Sequence, residues 1–443
     1  MEHCRFHYKT LDDVRTELEK IGRALPLGEQ VDLLRTPCRF GAVKLPNRLG
    51  IAPMEGVDSL PDGAPSELTR KRYLRLAEGG AGLIWMEAVS VVQEGRSSLK
   101  QLYLDENTLP AFQKLVAEIK ETGLKKNGFA PCIIMQANHS GRYSRPNAEA
   151  RPEPITAYHR GPHEKVHPYD DSRIATDEYL DALAEKFGHA ALLCREAGFD
   201  GIDIKSCHGY LFDELASAYN RPGRYGGSFE NRFRLLVDSI KSAQRYQTED
   251  YAVVARVGIC DMLPYPDGFG MKADGSMTPD YTQPIRLVKL LHEELGVPFL
   301  NFTMGDPHLN SHVTRPYDLG RYIPEEHPLE AMARLYEGVA LMKKACPTLG
   351  VSASSPTYLR QFAVNLAAGA VEQGVCDSVC FGRLSFANPS FPNEIFATGT
   401  LQKNTVCVTC SKCSELILAG VPTGCVVRDP DTYLPYYRAL HQQ

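Results

Sequence analysis

The stretch from Gly198 to Arg234 reads GFDGIDIKSCHGYLFDELASAYNRPGRYGGSFENRFR, and the rest of the chain can be interpreted outward from it. It begins with a short strand pattern over Gly201–Ile204, in which isoleucines alternate with Asp203. Four residues capable of chemistry follow before the next helical pattern: Lys205, Cys207, His208 and Tyr210. In β/α barrels, active sites are built from polar side chains at the C-terminal ends of the strands. We therefore expect this stretch to form the floor of an active site.

The same theme, an apolar run followed by polar residues and an amphipathic helix, repeats from Arg48 onward. Eight such units with continuous apolar strands predict an α/β fold, a closed (β/α)8 TIM barrel, because buried parallel strands are apolar on both faces. The predicted strands are Arg48–Met54, Ala81–Ala88, Pro131–Asn138, Gly201–Ser206, Tyr251–Ile259, Phe299–Met304, Gly350–Ser355 and Ser378–Arg383.

We expect three parts along the chain: an N-terminal helical extension over residues 1–36, the barrel over 37–395, and a cysteine-rich segment with a tail over 396–443. Thr10–Asp13 is a capping-box pattern that begins an amphipathic helix. We assign this helix to packing or to a contact within a homo-oligomer.

Composition narrows the class of protein. The 443 residues carry a formal net charge of -5, which provides no basic field for nucleic acid. No run of 18 apolar residues is present to span a membrane, and the first residues lack the apolar core of a signal peptide. The 13 cysteines are mostly scattered singly through apolar segments, which is typical of reduced thiols. We expect a cytoplasmic protein.

Two insertions depart from a minimal barrel. Residues Tyr143–Thr176 and Cys260–Gln283 are too long, and too rich in proline, glycine and polar residues, to be simple connectors. Both follow predicted strands and would lie over the C-terminal face of the barrel. The first contains three histidines, His159, His163 and His167, which we interpret as solvated rather than metal-binding because no cysteine lies near them.

The last four cysteines are spaced differently from the rest. Cys407, Cys410, Cys413 and Cys425 form C-x2-C-x2-C-x11-C. Four thiolates at such spacing suit either an iron–sulfur cluster or a single zinc ion. The spacing alone leaves both alternatives open.

Six motifs in order resemble those of the old yellow enzyme family, the FMN-dependent β/α-barrel oxidoreductases. They are NRLGIAPME (47–55), GGAGLIWMEA (79–88), IIMQANHSGR (133–142), AGFDGIDIKSCHGYLFDEL (197–215) followed by RYGGSFENRFR (224–234), ARVG (255–258) and FGRLSFANP (381–389). The resemblance covers roughly Pro37 to Pro392. It implies FMN bound across the C-terminal end of the barrel.

The resemblance also implies which residues contact the flavin. Backbone after the first two strands would meet the isoalloxazine edge, an amide would pair with the pyrimidine ring, and a cation would lie near N1 and O2. Loops after strands seven and eight would hold the phosphate. The implied contacts are, in that order, Pro53, Met54 and Ala88; Gln136; Arg256; and Ser352, Ser354, Gly382 and Arg383.

In the family, a pair of residues after strand four holds the oxygen of the substrate, and a tyrosine donates a proton. This implies Lys205 and His208 as the pair and Tyr210 as the donor. Lys205 departs from the usual histidine, and the structural alternative is an ion pair with Asp203 or Glu87. Glu55 also departs, since relatives often have a hydroxyl or thiol there. Its side chain would point elsewhere or be protonated, because an ionised carboxylate disfavours reduced flavin.

Family members similar to 2,4-dienoyl-CoA reductase and trimethylamine dehydrogenase carry a [4Fe-4S] cluster just after the barrel. The resemblance therefore implies the cluster for Cys407, Cys410, Cys413 and Cys425, although one interval here is a residue shorter, which keeps zinc as an alternative. Those relatives continue into nucleotide-binding domains, whereas no G-x-G-x-x-G unit occurs in this sequence. We expect electrons to come from a separate ferredoxin-like protein or flavoprotein reductase, or from NAD(P)H directly.

The expected activity is that of an ene-reductase acting on a small unsaturated carbonyl or carboxyl compound. Hydride would come from N5 of FMN and the proton from Tyr210, with electrons relayed through the [4Fe-4S] cluster. Two alternatives remain open at this point: a flavin dehydrogenase or demethylase acting on a C–N or C–C single bond, and a flavin-binding barrel whose four cysteines hold a structural zinc.

Overall fold

The computed structural model describes residues 3–148, 151–166 and 168–442. Its centre is a closed barrel of eight parallel strands, which confirms the predicted fold. Seven strands lie within their predicted ranges, and the second barrel strand runs two residues past its predicted end at Ala88, to Ser90. A short antiparallel hairpin precedes the barrel. The hairpin strands are β1 (Cys38–Phe40) and β2 (Val43–Leu45), and the barrel strands are β3 (Leu49–Ile51), β4 (Leu83–Ser90), β5 (Cys132–Asn138), β6 (Gly201–Ile204), β7 (Ala252–Gly258), β8 (Phe299–Thr303), β9 (Gly350–Ala353) and β10 (Ser378–Phe381).

Helices surround the barrel and occupy the loops at its ends. They are α1 (Leu11–Lys20), α2 (Glu67–Glu78), α3 (Leu109–Asn127), α4 (Gly161–Glu164), α5 (Asp177–Glu196), α6 (Leu211–Ala216), α7 (Phe229–Arg232), α8 (Arg234–Gln244), α9 (Thr282–Lys289), α10 (Ser311–Thr314), α11 (Pro328–Ala345), α12 (Ala363–Glu372), α13 (Arg383–Ala387), α14 (Phe391–Thr398), α15 (Lys412–Leu418) and α16 (Pro430–Leu440). No helix in the described part of the chain combines the length and apolar character that crossing a membrane requires.

Two apolar layers hold the fold together. One fills the inside of the barrel, where Trp85, Val254 and Phe299 pack together, and Val43 and Leu45 of the hairpin belong to the same cluster. The other lies between the strands and the outer helices. Burial of apolar area at roughly 25 cal/mol per Å² makes these two layers the main source of stability. They hold the strand ends in fixed positions.

The N-terminal extension packs on the barrel. The capping box is present, since the Thr10 hydroxyl accepts from the Asp13 amide at 3.2 Å and the Asp13 carboxylate accepts from the Thr10 amide at 3.0 Å. Val14 and Leu18 of α1 are buried in the same apolar cluster as the outer layer of the barrel. The residue 1–36 boundary is therefore not a break in the hydrophobic core.

The C-terminal segment crosses the C-terminal end of the barrel. Its helices α15 and α16 enclose a small apolar cluster of their own, formed by Leu416, Val426 and Tyr433. The Thr423 amide donates to the Gly56 carbonyl at 2.7 Å, which ties this segment to the loop after β3. This contact brings the cysteine-rich segment beside the strand ends.

The insertion from Tyr143 to Thr176 corrects one expectation. His163 is 2% exposed and its Nε2 lies 2.8 Å from the Asp306 carboxylate, so it is a buried, paired histidine and not a solvated one. His159 is at the surface and bonds to Asp171. His167 lies outside the described residues.

Candidate active site

A cavity of about 470 Å³ opens at the C-terminal ends of the barrel strands. It collects all three predicted catalytic residues and eight of the nine predicted flavin contacts. Those residues are Lys205, His208 and Tyr210, together with Pro53, Met54, Ala88, Gln136, Arg256, Ser354, Gly382 and Arg383. Side chains from seven different strand ends or the loops after them therefore face one space, as the barrel topology requires.

Ser352 is the predicted contact that does not line this cavity. Its hydroxyl is fully buried 3.2 Å from the sulfur of Cys380, and Cys380 belongs to the apolar cluster inside the barrel. Ser354 lies two residues further along, at the cavity wall. A strand rises about 3.3 Å per residue, so Ser352 sits roughly 6.6 Å deeper on the same face.

Asp203 on β6 fixes two of the predicted flavin contacts, Gln136 and Arg256, a role that was not predicted from the sequence. Its carboxylate accepts from the side-chain amide of Gln136 at 2.7 Å, from the Arg256 backbone amide at 2.6 Å and from the Trp85 indole at 2.8 Å. Burial raises the pKa of Asp203 to about 6, while these donors oppose the rise. In the sequence, the feature that could have indicated this role is a carboxyl group within an otherwise apolar strand.

The loop after β3 is held by a buried ion pair. Arg72 bonds to both Asp58 at 2.8 Å and Glu87 at 2.7 Å, and Glu87 accepts from the Gly56 amide at 2.8 Å. Glu87 is therefore paired with Arg72 and with the backbone of the loop after β3, and it forms no ion pair with Lys205. Glu55 on this loop lines the cavity, so its side chain does not point elsewhere, and burial raises its pKa above the usual range.

The turn after β6 presents His208 to the cavity. His208 and Gly209 both have left-handed backbone conformations, with φ of 71° and 72°. A side chain at Gly209 would collide with the Asp306 carboxylate, so glycine is required there. The His208 Nε2 lies 3.1 Å from the Thr303 hydroxyl at the end of β8. Burial, followed by the charge of Arg256, holds the pKa of His208 well below 6.5, so the imidazole is neutral.

Lys205 and Tyr210 are in direct contact. The Lys205 ammonium lies 3.8 Å from the centre of the Tyr210 ring, and among the described residues it forms no ion pair, including with Asp203 or Glu87. Burial lowers the pKa of Lys205 and raises that of Tyr210 well above 10. The phenol therefore keeps its proton across the neutral range.

A loop that the sequence reading did not single out forms the opposite wall. Residues 305–327, which follow β8 and include α10, are here called the 305–327 loop. His308 stacks on Tyr143, with ring centres 3.6 Å apart, and meets the edge of the Tyr210 ring. The loop also contributes Pro307, Leu309, Ser311, Thr314, Arg315, Tyr317, Gly320, Arg321 and Tyr322 to the cavity. Its richness in histidine, arginine and tyrosine after a strand was the signal available.

The polar groups of the cavity fit FMN. The Nε of Arg256 and the Nη1 of Arg383 are buried without a hydrogen-bond partner, so each has a donor free for an anionic or carbonyl oxygen. Unpaired buried donors are costly unless a ligand satisfies them. Gly382 lies against Met54 at the cavity wall, where a side chain would narrow the space.

The four C-terminal cysteines line a second, smaller pocket beside the cavity. Arg383 and Ser411 line both spaces. No group of three or more histidine, cysteine, aspartate or glutamate side chains in residues 3–148, 151–166 and 168–442 is arranged to hold a metal ion.

The surroundings of these cysteines suit bound thiolates. The Thr409 amide points at the Cys407 sulfur at 3.4 Å, and the Arg428 amide points at the Cys425 sulfur at 3.3 Å. Burial raises the pKa of Cys407 to about 12, and the nearby charge of Arg383 opposes the rise. Hydrogen bonds and cations around sulfur are the means by which proteins stabilise such ligands.

The model of the NADH:flavin oxidoreductase / NADH oxidase family matches residues 33–270. This chain belongs to that family, and thus to the FMN-dependent oxidoreductases of the old yellow enzyme type. The NADH oxidase of Thermoanaerobacter brockii is 26% identical over 384 residues, covering 84% of this chain and 52% of the relative. The cinnamate reductase of Clostridium sporogenes is 25% identical over 395 residues, covering 87% and 55%. This chain spans about half the length of these relatives.

Solved structures share the fold. A 2-naphthoyl-CoA reductase complex superposes with a TM-score of 0.72 at 20% identity, covering 90% of this chain and 57% of the other. The old yellow enzyme homologue from Zymomonas mobilis superposes with a TM-score of 0.60 at 24% identity, covering 84% and 94%.

Proposed function

We propose that this chain is the FMN-binding, substrate-reducing part of an ene-reductase that acts on the C=C bond of an α,β-unsaturated carbonyl or carboxyl compound. The observation that carries the proposal is the single cavity in which a neutral phenol, a neutral imidazole and an ammonium group meet at the end of β6. FMN, when bound, supplies the hydride for the β-carbon of the alkene.

Eleven residues of the chain would hold FMN or act beside it. Pro53, Met54 and Ala88 offer backbone to the ring edge, and Gln136 is pre-oriented by Asp203. Arg256 offers a free Nε to a carbonyl oxygen, and Arg383 offers a free Nη1 to the phosphate, with Ser354 and Gly382 beside it. Each of these donors is already in place before the cofactor binds, which lowers the cost of binding.

The chemical roles follow from the protonation states. Lys205 and His208 donate hydrogen bonds to the substrate oxygen, and Thr303 fixes the imidazole. As hydride reaches the β-carbon, the α-carbon gains electron density and takes the Tyr210 proton. The phenolate left behind is stabilised by the Lys205 ammonium 3.8 Å from its ring, and solvent restores the proton.

Cys407, Cys410, Cys413 and Cys425 would hold a [4Fe-4S] cluster, which transfers single electrons when bound. The shared lining of the two pockets by Arg383 and Ser411 supports electron transfer between this site and the flavin. The reducing equivalents come from NAD(P)H or from a separate donor protein, and the enzyme names of the relatives support the former.

An anaerobic absorbance titration tests the proposal. The purified protein is reduced stepwise with dithionite and then mixed with a panel of enones, enoates and amines. We expect bleaching of flavin and broad iron–sulfur absorbance, then flavin re-oxidation by an activated alkene. Bleaching of the oxidised protein by an amine would contradict the ene-reductase assignment. Iron, labile sulfide and zinc are assayed on the same sample: about four irons per chain support the cluster, and one zinc contradicts it.

A further inference from the structure

The cavity contains more positive charge than FMN requires. Glu55 and Glu415 are the only acidic residues among the described residues that line it. Five cationic side chains line it: Lys205, Arg256, Arg315, Arg321 and Arg383. Under the proposed function, Arg383 serves the phosphate and Arg256 serves the ring oxygen. The carboxyl group of Glu55 is close enough to Lys205 for their charges to interact. Arg321 is exposed at the mouth. This leaves Arg315 unaccounted for.

Arg315 is held by its neighbours and not by an acid. The Thr314 carbonyl accepts from the Ser355 hydroxyl at 2.7 Å, and the Pro316 carbonyl accepts from Arg383 at 2.6 Å. These bonds fix the backbone on both sides of Arg315. Its guanidinium forms no ion pair in residues 3–148, 151–166 or 168–442. A guanidinium that lines a cavity without an ion pair offers its donors to an anion.

The position of Arg315 is beside the proposed substrate site. Its charge acts on Tyr210, His208 and His308, all of which face the same space. Burial and the charge of Arg383 lower the pKa of Arg315, as expected for a cation without a counter-ion. The cavity lining also includes the apolar or aromatic side chains of Leu309, Tyr317, Tyr322, Ile417 and Leu418.

We propose that Arg315 binds the carboxylate of the substrate, so that this chain prefers α,β-unsaturated monocarboxylic acids with an apolar remainder over neutral enones or amides. The inference rests on the proposed function and narrows its substrate class. The planar guanidinium can pair with both oxygens of one carboxylate, which a single ammonium such as Lys205 cannot do. The apolar wall accommodates the remainder of the molecule.

Binding is measured without turnover, through the absorbance change of oxidised FMN in the holoprotein. The probes are 3-phenylpropanoate and its uncharged analogue 3-phenylpropanamide, neither of which has a reducible C=C bond. We expect the acid to bind at least about 30-fold more tightly than the amide. Arg315→Gln should bring the two within about threefold, and Arg315→Lys should fall between. Arg321→Gln removes a charge from the same loop and is the matched control, with less than about twofold change.

Two results would overturn the assignment of Arg315. The first is that 3-phenylpropanoate binds no more tightly than the amide. The second is that Arg315→Gln loses FMN or iron, because this would make Arg315 a cofactor ligand. Loss of FMN is the result expected for Arg383→Gln. Alkene re-oxidation is measured separately. Equal rates with unsaturated acids and amides leave the ene-reductase standing and reject the subsite. An acid preference without any alkene reduction rejects the ene-reductase and retains the subsite.

Discussion

The strand ends and the 305–327 loop both supply side chains to the cavity, but they are held in place differently. Gln136 and Arg256 on the strands are fixed by main-chain pairing and by one buried carboxylate, Asp203. The loop is fixed by contacts with residues far away in sequence, such as Asp306 with His163. The barrel therefore positions the proposed flavin contacts, while contacts between loops position the wall that we propose faces the substrate.

The largest expected effect is at a strand end. Tyr210→Phe should slow re-oxidation of the reduced protein by an alkene about 10³-fold, because the proposed proton donor is removed. Reduction of the flavin by dithionite should change less than about threefold. Stopped-flow absorbance under anaerobic conditions measures both half-reactions. Tyr322→Phe is the control, since Tyr322 lines the same cavity and its hydroxyl bonds to Asn310 within the loop. Equal slowing of both half-reactions would remove Tyr210 from this role.

The second prediction compares a cysteine of the C-terminal group, Cys413, with a core cysteine, Cys260. Cys413→Ala should reduce iron and acid-labile sulfide from about four per chain to less than one, because a ligand of the proposed cluster is lost. Cys260→Ala should leave both unchanged, since Cys260 is buried in the outer core, where its sulfur lies 3.3 Å from that of Met271. Elemental analysis of the two purified variants measures the difference. Full iron content in Cys413→Ala would exclude this cysteine as a ligand.

The third prediction concerns Asp306, which anchors the 305–327 loop. Asp306 is fully buried, bonds to His163 at 2.8 Å and lies against Gly209 in the turn after β6. Asp306→Ala should weaken binding of 3-phenylpropanoate about 30-fold, because it removes the buried hydrogen bond to His163 that anchors the loop. FMN content should be unchanged. Asp280→Ala, in the loop after β7, is the control. Loss of FMN from the Asp306 variant would contradict the separation between the strand ends that we propose hold the flavin and the 305–327 loop that we propose faces the substrate.

The sequence was informative where secondary structure alone decides position. Eight strands, and the polar residues that end them, follow from apolar runs and their terminal motifs. Eleven of the twelve residues predicted to contact flavin or to act in catalysis therefore line one cavity. Ser352, predicted from its place near the end of strand seven, does not line the cavity, because its position along the chain does not give its depth within the barrel. His163 was misread because its partner, Asp306, is 143 positions away. No local pattern encodes such a contact.

The smallest expected effect concerns a strand-end histidine. His139 follows β5, and both of its ring nitrogens are bonded, to the Gly141 amide and to the Tyr179 hydroxyl. Burial lowers the pKa of His139 to about 3. A base with a lowered folded pKa stabilises the native state above its unfolded pKa, and this stability is lost as pH falls below about 6.5.

We therefore compare the free energy of unfolding in urea for wild type and His139→Gln. The advantage of wild type should shrink by about 1.4 kcal/mol between pH 7.5 and pH 5.5. Glutamine cannot titrate, so the difference isolates this one side chain. A pH-independent difference would show that His139 keeps its ordinary pKa in the folded protein.

The most direct test of the central claim is a single-turnover product analysis. Anaerobically reduced protein is mixed with an excess of an unsaturated aryl acid, quenched, and analysed by mass spectrometry together with the flavin absorbance. We predict one saturated acid formed for each flavin re-oxidised, and loss of that product in Tyr210→Phe on the same timescale. Flavin that remains reduced in the presence of every alkene tested, with no saturated product, would contradict the account.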